Sequence, residues 1–200
     1  MEKRIAGEKI YNGKILTLSR DEIETEDGKR AFREVVHHNG GAAIVAYREG
    51  KVLLERQFRY PYGEEIFEIP AGKRDGDEEF IRTARRELEE ETGLIPLNLK
   101  ELFRLYPSPG YTDEIIAVFY ADRFEKGTLH FDETENLTSF WIGLDEACAM
   151  IKEGRIRDGK TIAGILYLKA EAIDECPNLR QKKNGRSAGL RKARKRIRKG

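Results

Sequence analysis

The stretch from Gly72 to Leu94, GKRDGDEEFIRTARRELEEETGL, constrains the fold of this chain more than any other. Gly72 opens a loop and Gly76 keeps it flexible. Asp77 is placed to cap a helix, with Glu78 and Glu79 in its first turn, where acidic side chains suit the positive end of the helix dipole. The helix runs to Thr92, and Gly93 is the expected left-handed residue that ends it. Phe80, Ile81, Ala84 and Leu88 recur at helical spacing and face a core. Glu87, Glu90 and Glu91 stand at i, i+3 and i+4, so their carboxylates share another face. Three carboxylates held that close repel one another. A divalent cation resolves the repulsion, and an all-oxygen ligand set suits Mg²⁺ or Mn²⁺, with substrate phosphates completing the shell. For an isolated run of this kind, the competing reading is a solvated helix face.

The cluster belongs to a longer pattern. Gly72, Glu78, Arg86, Glu87, an apolar residue at 88, Glu90, Glu91, Gly93 and an apolar residue at 94 fill every fixed position of G-x5-E-x7-R-E-U-x-E-E-x-G-U. Chance agreement at nine such positions is on the order of 10⁻⁵ or rarer. On this box the chain resembles the Nudix hydrolases, over roughly residues 40–172. The resemblance implies an α+β fold, a Nudix-type α/β/α sandwich with a mixed sheet. It also implies cleavage of a nucleoside diphosphate linked to another moiety, with Mg²⁺ as cofactor and Mn²⁺ as a possible substitute. By the same resemblance Glu87 and Glu91 are the main metal ligands, Glu90 is a ligand or bridging-water partner, and the carbonyl of Ala71 is a further ligand. Arg86 orients a box carboxylate through a charge-assisted hydrogen bond, and Glu78 is structural.

Residues outside the box must select the substrate. Pro109 lies 15 residues after Leu94, and it sits in SPGYTDE; ERQFR at 55–59 and EIPAG at 68–72 accompany it. These segments are similar to those of the ADP-ribose pyrophosphatase subgroup. The resemblance therefore implies ADP-ribose, or another ADP-sugar, as substrate, with AMP and ribose 5-phosphate as products. Carried over residue by residue, Arg59 binds the phosphates or terminal ribose. Arg33, in FREVV, reaches the substrate from the partner subunit of a homodimer. The planar fork of arginine pairs with phosphate oxygens in both roles. The acceptor for the attacking water comes from FDETENL, as Glu133 or Glu135, and Glu114 is a further candidate for substrate or metal contact. Another nucleotide sugar, a dinucleotide cofactor or an RNA cap remains an alternative substrate.

The rest of the chain reads as strands and short helices. Residues 1–39 form an antiparallel β segment, with turns at Ile10–Gly13 and Asp27–Gly28, and this segment calls for a partner surface. The Nudix domain spans 40–176. Its strands are Ala42–Tyr47, Val52–Arg59, Ile66–Ile69, Leu97–Tyr106, Ile115–Ala121 and Ser139–Ile142. Arg123–Leu137 reads as a loop, and helices follow at Leu144–Lys152 and Asp158–Glu175. His37, His38 and His130 show no metal-ligand spacing and read as structural or exposed.

Of 37 basic and 36 acidic residues, 11 bases and no acid lie in 180–200, which leaves about −10 on the remainder. The tail, 177–200, is predicted to be disordered alone through charge repulsion. It offers a weak nucleic-acid contact through phosphates, or no more than a solubilising extension. A chain acting mainly as a nucleic-acid binder would not need every metal ligand of the box. Cys148 and Cys176 read as free thiols in a reducing compartment. With no apolar run long enough for a membrane span or signal peptide, the expected location is the cytoplasm.

Overall fold

The computed structural model describes residues 1–130 and 137–174. Glu133, Glu135, Cys176 and the basic tail lie outside the described residues.

Three N-terminal strands, β1 (Lys3–Asn12), β2 (Leu16–Glu24) and β3 (Arg30–His38), form an antiparallel sheet in the order β1-β2-β3. The first turn sits later than expected. Ile10–Asn12 stay in β1, and the chain reverses where the Gly13 N–H donates to the Leu16 carbonyl. The second turn lies at Asp27–Gly28, with Gly28 at φ 77°.

The main sheet contains β4 (Gly41–Arg48), β5 (Lys51–Arg59), β6 (Glu64–Glu68), β7 (Ala71–Lys73), β9 (Lys100–Leu105), β10 (Ile116–Ala121) and β12 (Leu137–Gly143). Its order is β12-β5-β4-β10-β9, with β6 beside β5 and β7 beside β4. The β4–β10 pair is parallel and the other pairs are antiparallel, so the sheet is mixed. A small ribbon joins β8 (Leu94–Pro96) to β11 (Phe124–Lys126). The expected strand at Leu97–Tyr106 is therefore shorter, and part of the expected Arg123–Leu137 loop is β11.

Helix α1 (Phe80–Thr92) covers one face of the sheet, and α2 (Leu144–Lys152) and α3 (Gly159–Asp174) cover the other. The run GAAIVA of β4 explains why both faces are buried. Ala42, Ile44 and Ala46 pack with Ala84 and Leu88 of α1, while Ala43 and Val45 pack with Met150 and Ile165. A strand buried on both sides reads as continuous apolar sequence instead of an alternation.

The β4–β5 hairpin turns at Glu49–Gly50, both at positive φ, and pairs only at Tyr47–Val52 and Arg48–Lys51. Beyond that point the strands splay. β6 and β7 fill the wedge from the two sides, with the Pro70 carbonyl accepting the Ile44 N–H at 2.9 Å. Pro70 has no N–H to give to a ladder, and the chain passes there from β5 to β4. Gly72, expected in a loop, thereby becomes a strand residue opposite Ala42.

Candidate active site

Helix α1 begins later than its sequence suggests. Glu79, not Asp77, is the capping residue and makes no side-chain cap, and neither Glu78 nor Glu79 falls in the first turn. Glu78 is drawn elsewhere: its carboxylate accepts from Thr83 Oγ1 at 2.9 Å and from Arg86 Nη2 at 3.1 Å. The C-terminus is as read, with Gly93 left-handed at φ 67° and its N–H on the Glu89 carbonyl. Phe80, Ala84 and Leu88 face the core as read, and Ile81 does not. Ile81 is 45% exposed, whereas Thr83, Ala84, Leu88 and Glu91 are buried.

The carboxylate face of α1 lies against β7. Glu91 is 5% exposed, and its Oε2 accepts the Ala71 N–H at 3.0 Å. Glu87 lies against Gly72 so closely that a Cβ there would stand 1.9 Å from its carboxyl carbon. Arg86 ties the face together. Its Nη1 donates to Glu87 and Glu90, each at 2.9 Å, and its Nη2 to the Lys73 carbonyl at 3.0 Å. Burial works against the Arg86 charge, but its bonds to Glu78 and Glu90 and the charge of Glu87 outweigh it and hold the guanidinium more firmly protonated than usual.

These groups line a cavity of about 670 Å³, within the range of small-molecule sites. Arg59, at the end of β5, lines the same cavity. Its Nε and Nη2 grip Glu68 at 3.1 and 2.5 Å. Burial raises the Glu68 carboxyl, but Arg59 and Lys160 more than reverse this, and its pKa falls below the usual value. Glu114 also lines the cavity, with Oε1 3.3 Å from His38 Nδ1. His130 lines it too, and its N–H donates to the Glu90 carbonyl at 3.0 Å.

Two expected site residues are not brought to the cavity within this chain. Arg33 lies on β3 and pairs with Glu2 at the surface. Pro109 is exposed in the 108–113 segment, which bonds to β3: Val36 N–H to the Tyr111 carbonyl at 2.7 Å, and His37 Nδ1 to Asp113 at 2.5 Å. Burial raises Asp113, and the bonds from His37 and the His38 N–H outweigh it and lower its pKa. His37 also reaches Ser19 Oγ through Nε2 at 2.9 Å, so it is a structural latch between strands and loop.

Sequence reasoning missed Lys14, Gln57 and Lys160, which line the cavity as well. Lys14 follows an Asn-Gly turn and Lys160 follows a capping Asp, but neither signal points to a ligand.

The donor chemistry fits a hard cation. Glu87, Glu90 and Glu91 offer carboxylate oxygens on one helix face, and Ala71 and Gly72 bring backbone against them with no intervening side chain. Among the described residues, no three His, Cys, Asp or Glu side chains converge in ligand geometry. Glu87 and Glu90 instead point to Arg86, and Glu91 to the Ala71 N–H.

The NUDIX domain model matches residues 37–165. The chain is 40% identical over 173 residues to the ADP-ribose pyrophosphatase of Bacillus subtilis (strain 168), covering 84% of this chain and 92% of the relative. It is 39% identical over 173 residues to the methanol dehydrogenase activator of Bacillus methanolicus, covering 85% and 94%. A solved structure described as an ADP compounds hydrolase matches with a TM-score of 0.78 at 19% identity, over 87% of this chain and 95% of that one; this is a likeness of fold. The chain belongs to the Nudix family, and it is a hydrolase of that family.

Proposed function

We propose that this chain hydrolyses the pyrophosphate of ADP-ribose, or of a close ADP-sugar, to AMP and the sugar phosphate, ribose 5-phosphate for ADP-ribose. The observation that carries the reading is the meeting of two elements at one cavity, the carboxylate face of α1 and Arg59 of β5. The similarity to an ADP-ribose pyrophosphatase over most of both chains supports the choice of substrate.

Glu87, Glu90, Glu91 and the Ala71 carbonyl would hold Mg²⁺, with Mn²⁺ as a substitute. When bound, the cation supplies Lewis-acid neutralisation of the pyrophosphate oxygens. Arg86 keeps Glu87 and Glu90 fixed, so little reorganisation is left for the reaction itself. Arg59 spends Nε and part of Nη2 on Glu68, and its remaining N–H groups face a phosphate oxygen. Glu114, steadied beside His38, contacts substrate at the rim. The attacking water passes its proton to a carboxylate oxygen of Glu133, or of Glu135. Glu133 is three residues from His130, a span of roughly 10 Å at full extension, and His130 is bonded to the carbonyl of Glu90.

The molecule acts as a homodimer in this reading. Every residue of β1 is exposed, including Ile5 and Ile10, and Phe32 of β3 is 57% exposed. A second copy would cover this sheet and bring Arg33 toward a site. The single free thiol among the described residues, Cys148, suits the cytoplasm. The tail at 177–200 adds at most a weak, salt-sensitive phosphate contact.

The experiment is a panel of nucleoside diphosphate derivatives assayed with Mg²⁺ and with EDTA, products identified by chromatography. ADP-ribose is expected to give the highest kcat/KM, with AMP among the products and no turnover in EDTA. A different best substrate refutes the ADP-ribose assignment. Light scattering giving the mass of one chain refutes the dimer.

A further inference from the structure

A half-buried lysine stands where the proposed phosphate-binding arginine is anchored. Lys160, the second residue of α3, has a side chain only 11% exposed, yet it lines the cavity. Its Nζ lies 3.3 Å from Glu68 Oε2 and 3.1 Å from Asp158 Oδ2. Glu68 is 4% exposed, and the same Oε2 receives Arg59 Nη2. One carboxylate is thus shared between Arg59 and Lys160.

The start of α3 is locked to the strand that carries Glu68. Asp158 caps the helix, accepting the Thr161 N–H at 2.9 Å and the Thr161 hydroxyl at 2.6 Å. Thr161 Oγ1 in turn accepts the Ile69 N–H at 2.9 Å. Lys160 is therefore held by a fixed helix turn, one residue before Thr161, whose side chain is bonded to Ile69 just past the end of β6.

We infer that Lys160 is a positioning residue for substrate binding: it holds Glu68 so that Arg59 keeps a guanidinium edge free for a phosphate oxygen. The inference rests on the reading of Arg59 proposed above. The electrostatics give its direction. With Lys160 present, two cations share Glu68 and Asp158. Without it, Glu68 loses its anchor on α3, and its carboxylate can turn and carry the bonded guanidinium edge with it. That change weakens the hold on an anionic substrate. It does not alter the carboxylates on α1, so the loss falls on KM and largely spares kcat.

The test is a double-mutant cycle on Lys160→Met and Arg59→Ala, reading KM and kcat for ADP-ribose and Kd for ADP-ribose in EDTA. Lys160→Met is expected to raise KM and Kd roughly tenfold, with kcat within about threefold. Lys160→Arg, which keeps the charge, restores both. In the Arg59→Ala background, Lys160→Met adds less than about twofold. Where Lys160→Met does not fold, Lys160→Met/Asp158→Asn, which keeps a capping side chain and removes the stranded charge, takes its place in the cycle. Independent, multiplicative losses from the two sites would overturn the inference, as would a fall in kcat with KM unchanged. If the wild type prefers another diphosphate, the substrate reading fails alone, and the cycle is read on that preferred compound. A wild type that hydrolyses no member of the panel overturns both.

Discussion

Gly72→Ala should separate activity from stability, because of what a methyl group would meet. A Cβ at Gly72 stands 1.9 Å from Glu87 Cδ and 2.0 and 2.2 Å from its two oxygens. Ordinary contact begins near 3.4 Å, so the carboxyl group must move by about 1.5 Å. Gly72 is not at positive φ, so alanine adds no backbone strain. The clashing group is the end of a flexible side chain, which can swing away, and the cost to folding should be under about 1 kcal/mol. Activity has no such escape, since a misplacement of about 1 Å in a reacting constellation can cost 10²-fold. The expected result is a fall in kcat/KM for ADP-ribose of about 10² or more, with a melting temperature within a few degrees of wild type. Steady-state kinetics and calorimetry on the same preparation check it. Near-wild-type kcat/KM would refute the reasoning, because Glu87 would then not need the place that Gly72 leaves it.

Other perturbations follow from the same frame. Gly41→Ala meets backbone, the Gly72 carbonyl oxygen at 2.7 Å, so it should lose about 1–3 kcal/mol of stability in chemical denaturation. Arg86→Lys cannot serve Glu78, Glu87, Glu90 and the Lys73 carbonyl with one ammonium; about 1–3 kcal/mol of unfolding free energy should go, along with most activity. The Glu68 carboxyl titrates below its usual 4.5 in the folded protein. Its contribution is therefore complete above about pH 4.5 and is lost as the pH falls through the lowered value. Glu68→Gln should be less stable at pH 7 and should show a shallower loss on acidification, measured by urea unfolding across pH 3–7.

What the sequence disclosed follows from the range of the interactions involved. The end of α1 was legible because Gly93 answers a local need for a left-handed residue, and β4 because a run of small and branched apolar residues marks a doubly buried strand. The start of α1 was not, since Glu78 is bonded to Thr83 and Arg86 from outside the helix and the helix begins only after Glu79. Ile81 was misread for a related reason. Two polar residues, Thr83 and Glu91, hold the inward positions because Glu78 and the Ala71 N–H satisfy them there. β7 is three residues long, contains a glycine and follows a proline, so only the gap between β4 and β5 reveals it as a strand. Lys160 meets Glu68 across 92 residues, and His37 meets Asp113 across 76; no local pattern encodes such pairs.

The central claim is that the carboxylate face of α1 drives cleavage of a pyrophosphate bond. Glu91→Gln tests it most directly, because the glutamine oxygen can still accept the Ala71 N–H while the charge is removed. Measured with Mg²⁺ on ADP-ribose beside wild type, the variant should lose about 10³-fold or more in kcat and keep its melting temperature within a few degrees. A folded Glu91→Gln protein with wild-type kcat would contradict the account.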